Sequence, residues 1–122
     1  FQSTEKDCYV KIDKTHLTRV LNNLIKNAHQ SISPEKEKSI IIKIKDNEEF
    51  WVIQIKDNGS GIKKEIRDKI FEPKFTTKNS GMGLGLAIVK NIVHDFGGEI
   101  DFITKLGSGT TFFVQIPKTN KK

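Results

Sequence analysis

The sequence predicts an α+β domain: a two-layer sandwich in which a mixed, mostly antiparallel sheet is covered on one face by helices. Two observations predict it. Two long segments space their apolar residues as helices do, and five shorter ones read as strands, two of them with clear apolar–polar alternation. The elements run β–α–β–β–α–α–β–β, so hairpins alternate with helices.

Cys8 to Ile12 reads as a short strand. Asp13 and Thr15 are both N-cap residues for the segment that follows. There Leu17, Val20, Leu21, Leu24, Ile25, Ala28 and Ile32 form one apolar stripe, closed by Ser33-Pro34. Ser39–Lys45 and Phe50–Lys56 then alternate around the turn Asp46-Asn47-Glu48-Glu49 and predict a hairpin. In it Ile40, Ile42 and Ile44 share one face, and Lys43 and Lys45 share the other.

Asp57 to Gly61 is a loop, and Lys63–Ile70 reads as a short amphipathic helix. Residues 72–83 are a long polar loop, a length that in a compact domain usually carries function. Leu84–Phe96 is the second long helix, stopped by Gly97-Gly98. Glu99–Thr104 and Thr110–Ile116 are strands joined at Leu106-Gly107-Ser108-Gly109.

All 122 residues fit one domain, with residues 1–7 and 118–122 expected as flexible ends. With 35% hydrophobic and 30% charged residues the core is modest. The net charge of +6 is spread over many lysines without an arginine cluster, which argues against a nucleic-acid partner. The single Cys8 cannot form an internal disulfide and has no metal-ligand spacing around it, which fits a cytoplasmic setting. No apolar run reaches the roughly 20 residues of a membrane span, so no membrane contact is expected of this domain. The opening at Phe1, without an initiator Met, predicts an excised part of a longer protein, whose parent is compatible with inner-membrane anchoring.

Three features lie where a core does not need them. Asn23 and Asn27, four apart, share a helix face although Asn is a poor helix former. A carboxamide oxygen is a hard ligand suited to magnesium; read alone, the pair favours surface or capping amides over a metal site. Asp57-x-Gly59-x-Gly61 ends a hydrophobic strand with a carboxylate able to accept from the exocyclic amine of a base; read alone, it is equally an Asp-Asn-Gly turn. Gly81-x-Gly83-x-Gly85 opens a helix and offers backbone N–H groups to phosphate, with Lys74 and Lys78 upstream. Leu86 takes the place of the last glycine of a dinucleotide fingerprint, and no Gly-Lys-Ser/Thr follows as in a Walker loop. Together the three make up a nucleotide site.

These segments resemble the motifs of the gyrase, heat-shock chaperone, histidine kinase and mismatch-repair ATPase superfamily. Leu21–Ala28 is similar to its N box, Asp57–Ile62 to its first glycine box, and Ile70–Lys78 to the F box of histidine kinases. Gly81–Val89 is similar to the second glycine box and Gly107–Phe112 to the last, so the resemblance covers about residues 9 to 117. It implies a Bergerat-type fold binding ATP and Mg²⁺.

The resemblance also implies residue roles. Asn27 would hold the magnesium, with Asn23 assisting at the phosphates as the second catalytic residue. Asp57 would accept the adenine amine, Gly59 and Gly61 would leave room for the base, and Thr110 would support it. Residues 72–82 would be the ATP lid. Thr77, Lys78, Gly81, Gly83 and Gly85 would line the phosphate end, with Ile62, Phe71, Leu84 and Leu86 completing the site.

ATPase branches of the superfamily place a water-activating Glu where this chain has Asn23, and an amide is no base near neutral pH. The kinase branch is therefore expected, and the wording of the F box is most similar to nitrogen-regulation-type sensor kinases. Gln30 replaces a basic residue common in the family, so Lys26 or Lys78 would have to supply that phosphate contact; Lys74 stands where Phe is common. None of His16, His29 and His94 has a phosphoacceptor context, and His29 reads as a structural or rim residue. The phosphoacceptor is expected on a helical-hairpin dimerisation domain before residue 1, in a homodimeric parent that passes phosphate to a response regulator.

Overall fold

The computed structural model describes the backbone of residues 14–72 and 82–118, and the side chains of 15–72 and 85–118. The expected strand Cys8–Ile12, the cap position Asp13, lid residues 73–81 and the last four residues lie outside that range. Among the described residues, two helices, a single 3₁₀ turn and four strands follow one another. They are α1 (Lys14–Gln30), β1 (Ile40–Asp46), β2 (Phe50–Asp57), the turn Lys64–Ile66, α2 (Met82–Asp95), β3 (Glu99–Lys105) and β4 (Gly109–Pro117).

The four strands form one sheet in the order β1-β2-β4-β3, antiparallel at every junction. The inward residues of β2 and β4 are Trp51, Ile53, Ile55 and Asp57, and Thr110, Phe112, Val114 and Ile116; all are buried. Their partners on the flanking strands by register are Ile40, Ile42 and Ile44 on β1 and Ile100, Phe102 and Thr104 on β3. Ile42 shares the inward face as the alternation predicts, yet it is 40% exposed, on the outermost strand among the described residues.

Against this face pack the apolar stripes of both helices. Val20, Leu24 and Ala28 of α1 and Val89 and Val93 of α2 are buried with β2 and β4 in one cluster. Each helix removes one stripe from water, and together they cover the central strands. Phe71, Phe102 and Phe112 meet in tilted and edge-on contacts, with centroids 5.7–6.4 Å apart, and close the sheet's β3 end.

α1 ends at Gln30, two residues before the expected stop: Ser31 still donates to Asn27 O, while Ile32 donates only to His29 O. The Ser33 hydroxyl bonds the Glu35 carboxylate, and this bond, with the backbone N–H of Glu35, holds that carboxyl below its usual range. At the end of α2, Gly97 N and Gly98 N cap the carbonyls of His94 and Val93.

One expectation is corrected. Lys63–Ile70 is not an α-helix. The N–H groups of Ile66, Arg67, Lys69 and Glu72 each bond the carbonyl three residues back, giving a 3₁₀ turn followed by further turns. Eight residues make a marginal helix in water, so tertiary anchors decide. Here they are the buried Ile70 and the bond from Arg67 Nε to Ile62 O at 3.1 Å. Of the expected flexible end 118–122, Lys118 alone is described. Its N–H donates to Glu49 O, and its ammonium pairs with Asp46 at 2.9 Å and stands 4.8 Å from the Trp51 ring centroid. No helix among the described residues is long and apolar enough to cross a membrane.

Leu24 sits fully buried where α1 meets both α2 and the sheet. Leu24→Ala is expected to cost about 2–5 kcal/mol, read as a fall in the urea midpoint at unchanged m-value; a cost under about 1 kcal/mol would contradict this packing.

Candidate functional site

β2 ends in a carboxylate. Asp57 points inward because it continues the buried alternation Trp51, Ile53, Ile55, and it is 4% exposed. A buried carboxylate needs hydrogen-bond donors. It finds two, Gly59 N at 2.8 Å and Thr110 N at 3.2 Å, both on Oδ1. Thr110 is the first inward residue of β4, so pairing of β2 with β4 delivers it to Asp57. Its hydroxyl meets Thr104 Oγ1 at 2.8 Å across the β3–β4 register, and Thr104 in turn accepts Ile62 N at 2.9 Å. Sheet and loop are thereby joined behind the carboxylate.

The glycines of the loop have steric reasons. A Cβ on Gly59 would collide with Ser31 Oγ and lie 2.9 Å from Asp57 Oδ1. Gly61 has φ +82°, and a Cβ there would stand 2.5 Å from Lys105 O. The loop is also tied from outside. Asn58 Oδ1 accepts Ser39 N at 2.9 Å, its Nδ2 donates to Glu37 O at 2.9 Å, its N–H donates to Ser39 O, and its own carbonyl accepts Lys36 Nζ at 2.7 Å.

The helical side of the site runs along α1. Asn23, Asn27 and Ser31 recur every four residues and so line one face. At one end Asn23 Nδ2 makes a long contact of 3.5 Å to Gly85 O in the first turns of α2. At the other, Ser31 O accepts Ser60 N at 3.1 Å. The stripe spans about 12 Å of helix rise and links the N-terminal end of α2 to the Asp57 loop. Between its ends lies Asn27, 8% exposed, whose Oδ1 is buried without a hydrogen-bond partner among the described residues. A buried acceptor left unpaired costs about 1–3 kcal/mol. In a native fold such an atom calls for a ligand, and a hard neutral oxygen suits magnesium.

The structure thus brings Asn23, Asn27, Asp57, Gly59, Gly61, Gly85 and Thr110 to one region bounded by α1, α2 and the β2–β4 ends. Gly83 and Leu84 lie in the first turn of α2. Ile62 and Phe71 are half-buried against the core beside it. Lys26 is exposed, about 100° around α1 from Asn27. Leu86 is 4% exposed and packs in the core, leaving its backbone for ligand contact. Thr77, Lys78 and Gly81 lie outside the described residues. His29 stands exposed with Lys38 Nζ 3.1 Å from Nε2, and His16 packs against Phe96 at 5.5 Å.

Ser31, Asn58 and Thr104 were missed by sequence reasoning. Ser31 was detectable as the next step of the Asn23, Asn27 spacing. Thr104 was detectable as a Thr opposite Thr110 across a short turn. Asn58 carried no signal beyond that of a turn residue.

With the geometry established, comparison with known proteins is informative. The sequence pattern of the histidine kinase-, DNA gyrase B-, and HSP90-like ATPase family matches residues 12–120. The C4-dicarboxylate transport sensor protein DctB of Rhizobium meliloti is 38% identical over 106 residues, which are 87% of this chain and 17% of that protein. The sensor histidine kinase ZraS of Escherichia coli is 40% identical over 108 residues, 88% of this chain and 23% of that protein. The chain therefore spans about a fifth of the length of these relatives. Among solved structures, the nucleotide-free catalytic domain of histidine kinase ThkA superposes with TM-score 0.78 at 34% identity, covering 89% of this chain and 71% of that one. The mycobacterial sensor histidine kinase MprB gives 0.74 at 27% identity, with 87% and 74% covered.

Asn58→Ala removes two loop-tying bonds and is expected to lower stability by about 1–2 kcal/mol while speeding amide exchange at Gly59 and Ser60. Unchanged exchange at those two amides would show that the tie does not hold the loop.

Proposed function

The chain belongs to the histidine kinase-, DNA gyrase B-, and HSP90-like ATPase family, and from that premise we propose that it binds magnesium-ATP between α1, α2 and the Asp57 loop. It donates the γ-phosphoryl group to a histidine imidazole on the dimerisation domain of a longer, homodimeric sensor kinase. The phosphate then passes to an aspartate on a response-regulator receiver domain. The domain works on the cytoplasmic side, where ATP is available, whether or not the parent is anchored in a membrane, and nucleic acid has no part in it.

The observation that carries this reading is the unpaired, buried Oδ1 of Asn27 on the same helix face as Asn23 and Ser31. Asp57 Oδ1 is held by Gly59 N and Thr110 N, and the carboxylate accepts the adenine amine through Oδ2. Gly59 and Gly61 keep side chains out of the base's way, and Thr110 braces the carboxylate from β4. Ile62 and Phe71 give apolar contact.

Asn27 Oδ1 would hold the magnesium, which would supply charge neutralisation at the phosphate oxygens. Asn23 and the first N–H groups of α2, at Gly83, Leu84, Gly85 and Leu86, orient the phosphates. Thr77, Lys78 and Gly81 of the lid, with Lys26, complete that end. The chain supplies positioning and charge rather than a nucleophile, which is most of what phosphoryl transfer needs. Asn23 leaves water unactivated, so ATP is spared for the histidine. Without the phosphoacceptor domain the chain does not autophosphorylate.

Calorimetric titration with ATP, with and without magnesium, tests the site. Asp57→Ala is expected to weaken ATP binding at least about tenfold, and Asn27→Ala to abolish the gain that magnesium brings, about 1.4 kcal/mol or more. Supplying the phosphoacceptor domain in trans should give a phosphohistidine that both variants lose. Undiminished transfer by Asn27→Ala would refute the metal assignment, and ATP bound but never transferred would make the chain a nucleotide-sensing module.

A further inference from the structure

The sheet face turned away from the helices carries an ordered charge pattern. By register, its residues fall into rows across β1, β2, β4 and β3. One row reads Lys45, Val52, Gln115, Glu99; the next reads Lys43, Gln54, Phe113, Asp101; the third reads Ile41, Lys56, Thr111, Ile103. Cations occupy the β1 edge and anions the β3 edge in two successive rows, about 14 Å apart. The third row ends in Ile41, 43% exposed, and Ile103, 67% exposed. Isolated exposed apolar residues are ordinary, but here two of them occupy matching ends of one row.

We propose that this face docks a second copy of the chain, related by a two-fold axis running parallel to the strands. Such an axis lays β1 of one copy over β3 of the other and keeps each row over itself. Lys45 then meets Glu99, Lys43 meets Asp101 and Ile41 meets Ile103, each twice by symmetry. The other in-plane axis, across the strands, lays β1 over β1 and sets lysine against lysine. The charges therefore select one arrangement and oppose its rival. A groove of about 320 Å³ beside Glu99, Asp101 and Phe113 lies where the lysine stems of the second copy arrive. Sheets stacked this way pack about 10 Å apart with a rotation near 30°, which keeps the central rows superposed.

The face measures about 19 by 24 Å from strand spacing and rise. Two copies would bury about 900 Å², below the 1,200 Å² where stable complexes begin, so the dimer is weak and salt-sensitive. It depends on none of the nucleotide-site residues and stands apart from the proposed phosphotransfer.

Sedimentation of the 122-residue chain in low salt, from about 10 μM to about 1 mM, tests it. The wild type is expected to dimerise over that range. Lys43→Glu with Lys45→Glu makes both edges acidic, and Glu99→Lys with Asp101→Lys makes both basic; each variant alone should stay monomeric. Mixed one to one they should associate, and all four substitutions in one chain should restore the homodimer. A wild type monomeric at about 1 mM, edge variants that dimerise like the wild type, or a mixture that does not associate would each overturn the proposal.

Discussion

The site is organised around one buried carboxylate. Asp57 stays inside because β2 alternates in step with the core, and a carboxylate taken from water must be met by donors. Both donors come from segments that the fold has to bring there. Gly59 N comes from the turn directly after β2, and Thr110 N comes from β4, its antiparallel neighbour. Moving either strand by one residue would turn Asp57 or Thr110 to the opposite face of the sheet. Core register and site geometry are therefore the same constraint. The Thr104–Thr110 hydroxyl contact and the Ile62 N bond extend it to β3 and to the following loop.

α1 connects this end to the other. Its apolar stripe fixes its rotation over the sheet, and that rotation turns Asn23, Asn27 and Ser31 toward the loop and toward α2. The fold thereby holds a polar oxygen of Asn27 buried and unpaired. Hydrophobic packing sets the position of an atom that is itself unfavourable without a ligand. Local strain of this kind is what a binding site stores and a ligand relieves.

Much of this was legible in the sequence. Both long helices, all four described strands and their turns followed from periodicity, because each buries one face and so must alternate. The Asn23, Asn27 pair and the Asp57 glycine loop stood out because those residue types are poorly suited to helix and strand interiors. The 3₁₀ turn at Lys64–Ile66 was not legible: Ile62, Ile66 and Ile70 have helical spacing, and only the anchors on Ile62 O and Ile70 decide against a helix. Lys118 was read as part of a tail because its partners, Asp46 and Trp51, are remote in sequence. The Asn58 tie was hidden for the same reason, since Glu37 and Ser39 come near only once β1 and β2 have paired.

The account's central claim is that one cavity holds the base at Asp57 and the metal at Asn27. A crystal structure of the chain with magnesium and a non-hydrolysable ATP analogue tests it most directly. The account predicts the exocyclic amine of the adenine within hydrogen-bond distance of the Asp57 carboxylate and Asn27 Oδ1 coordinating the magnesium, on a single nucleotide. A nucleotide bound elsewhere, or one that reaches either side chain while the other faces away, would contradict it.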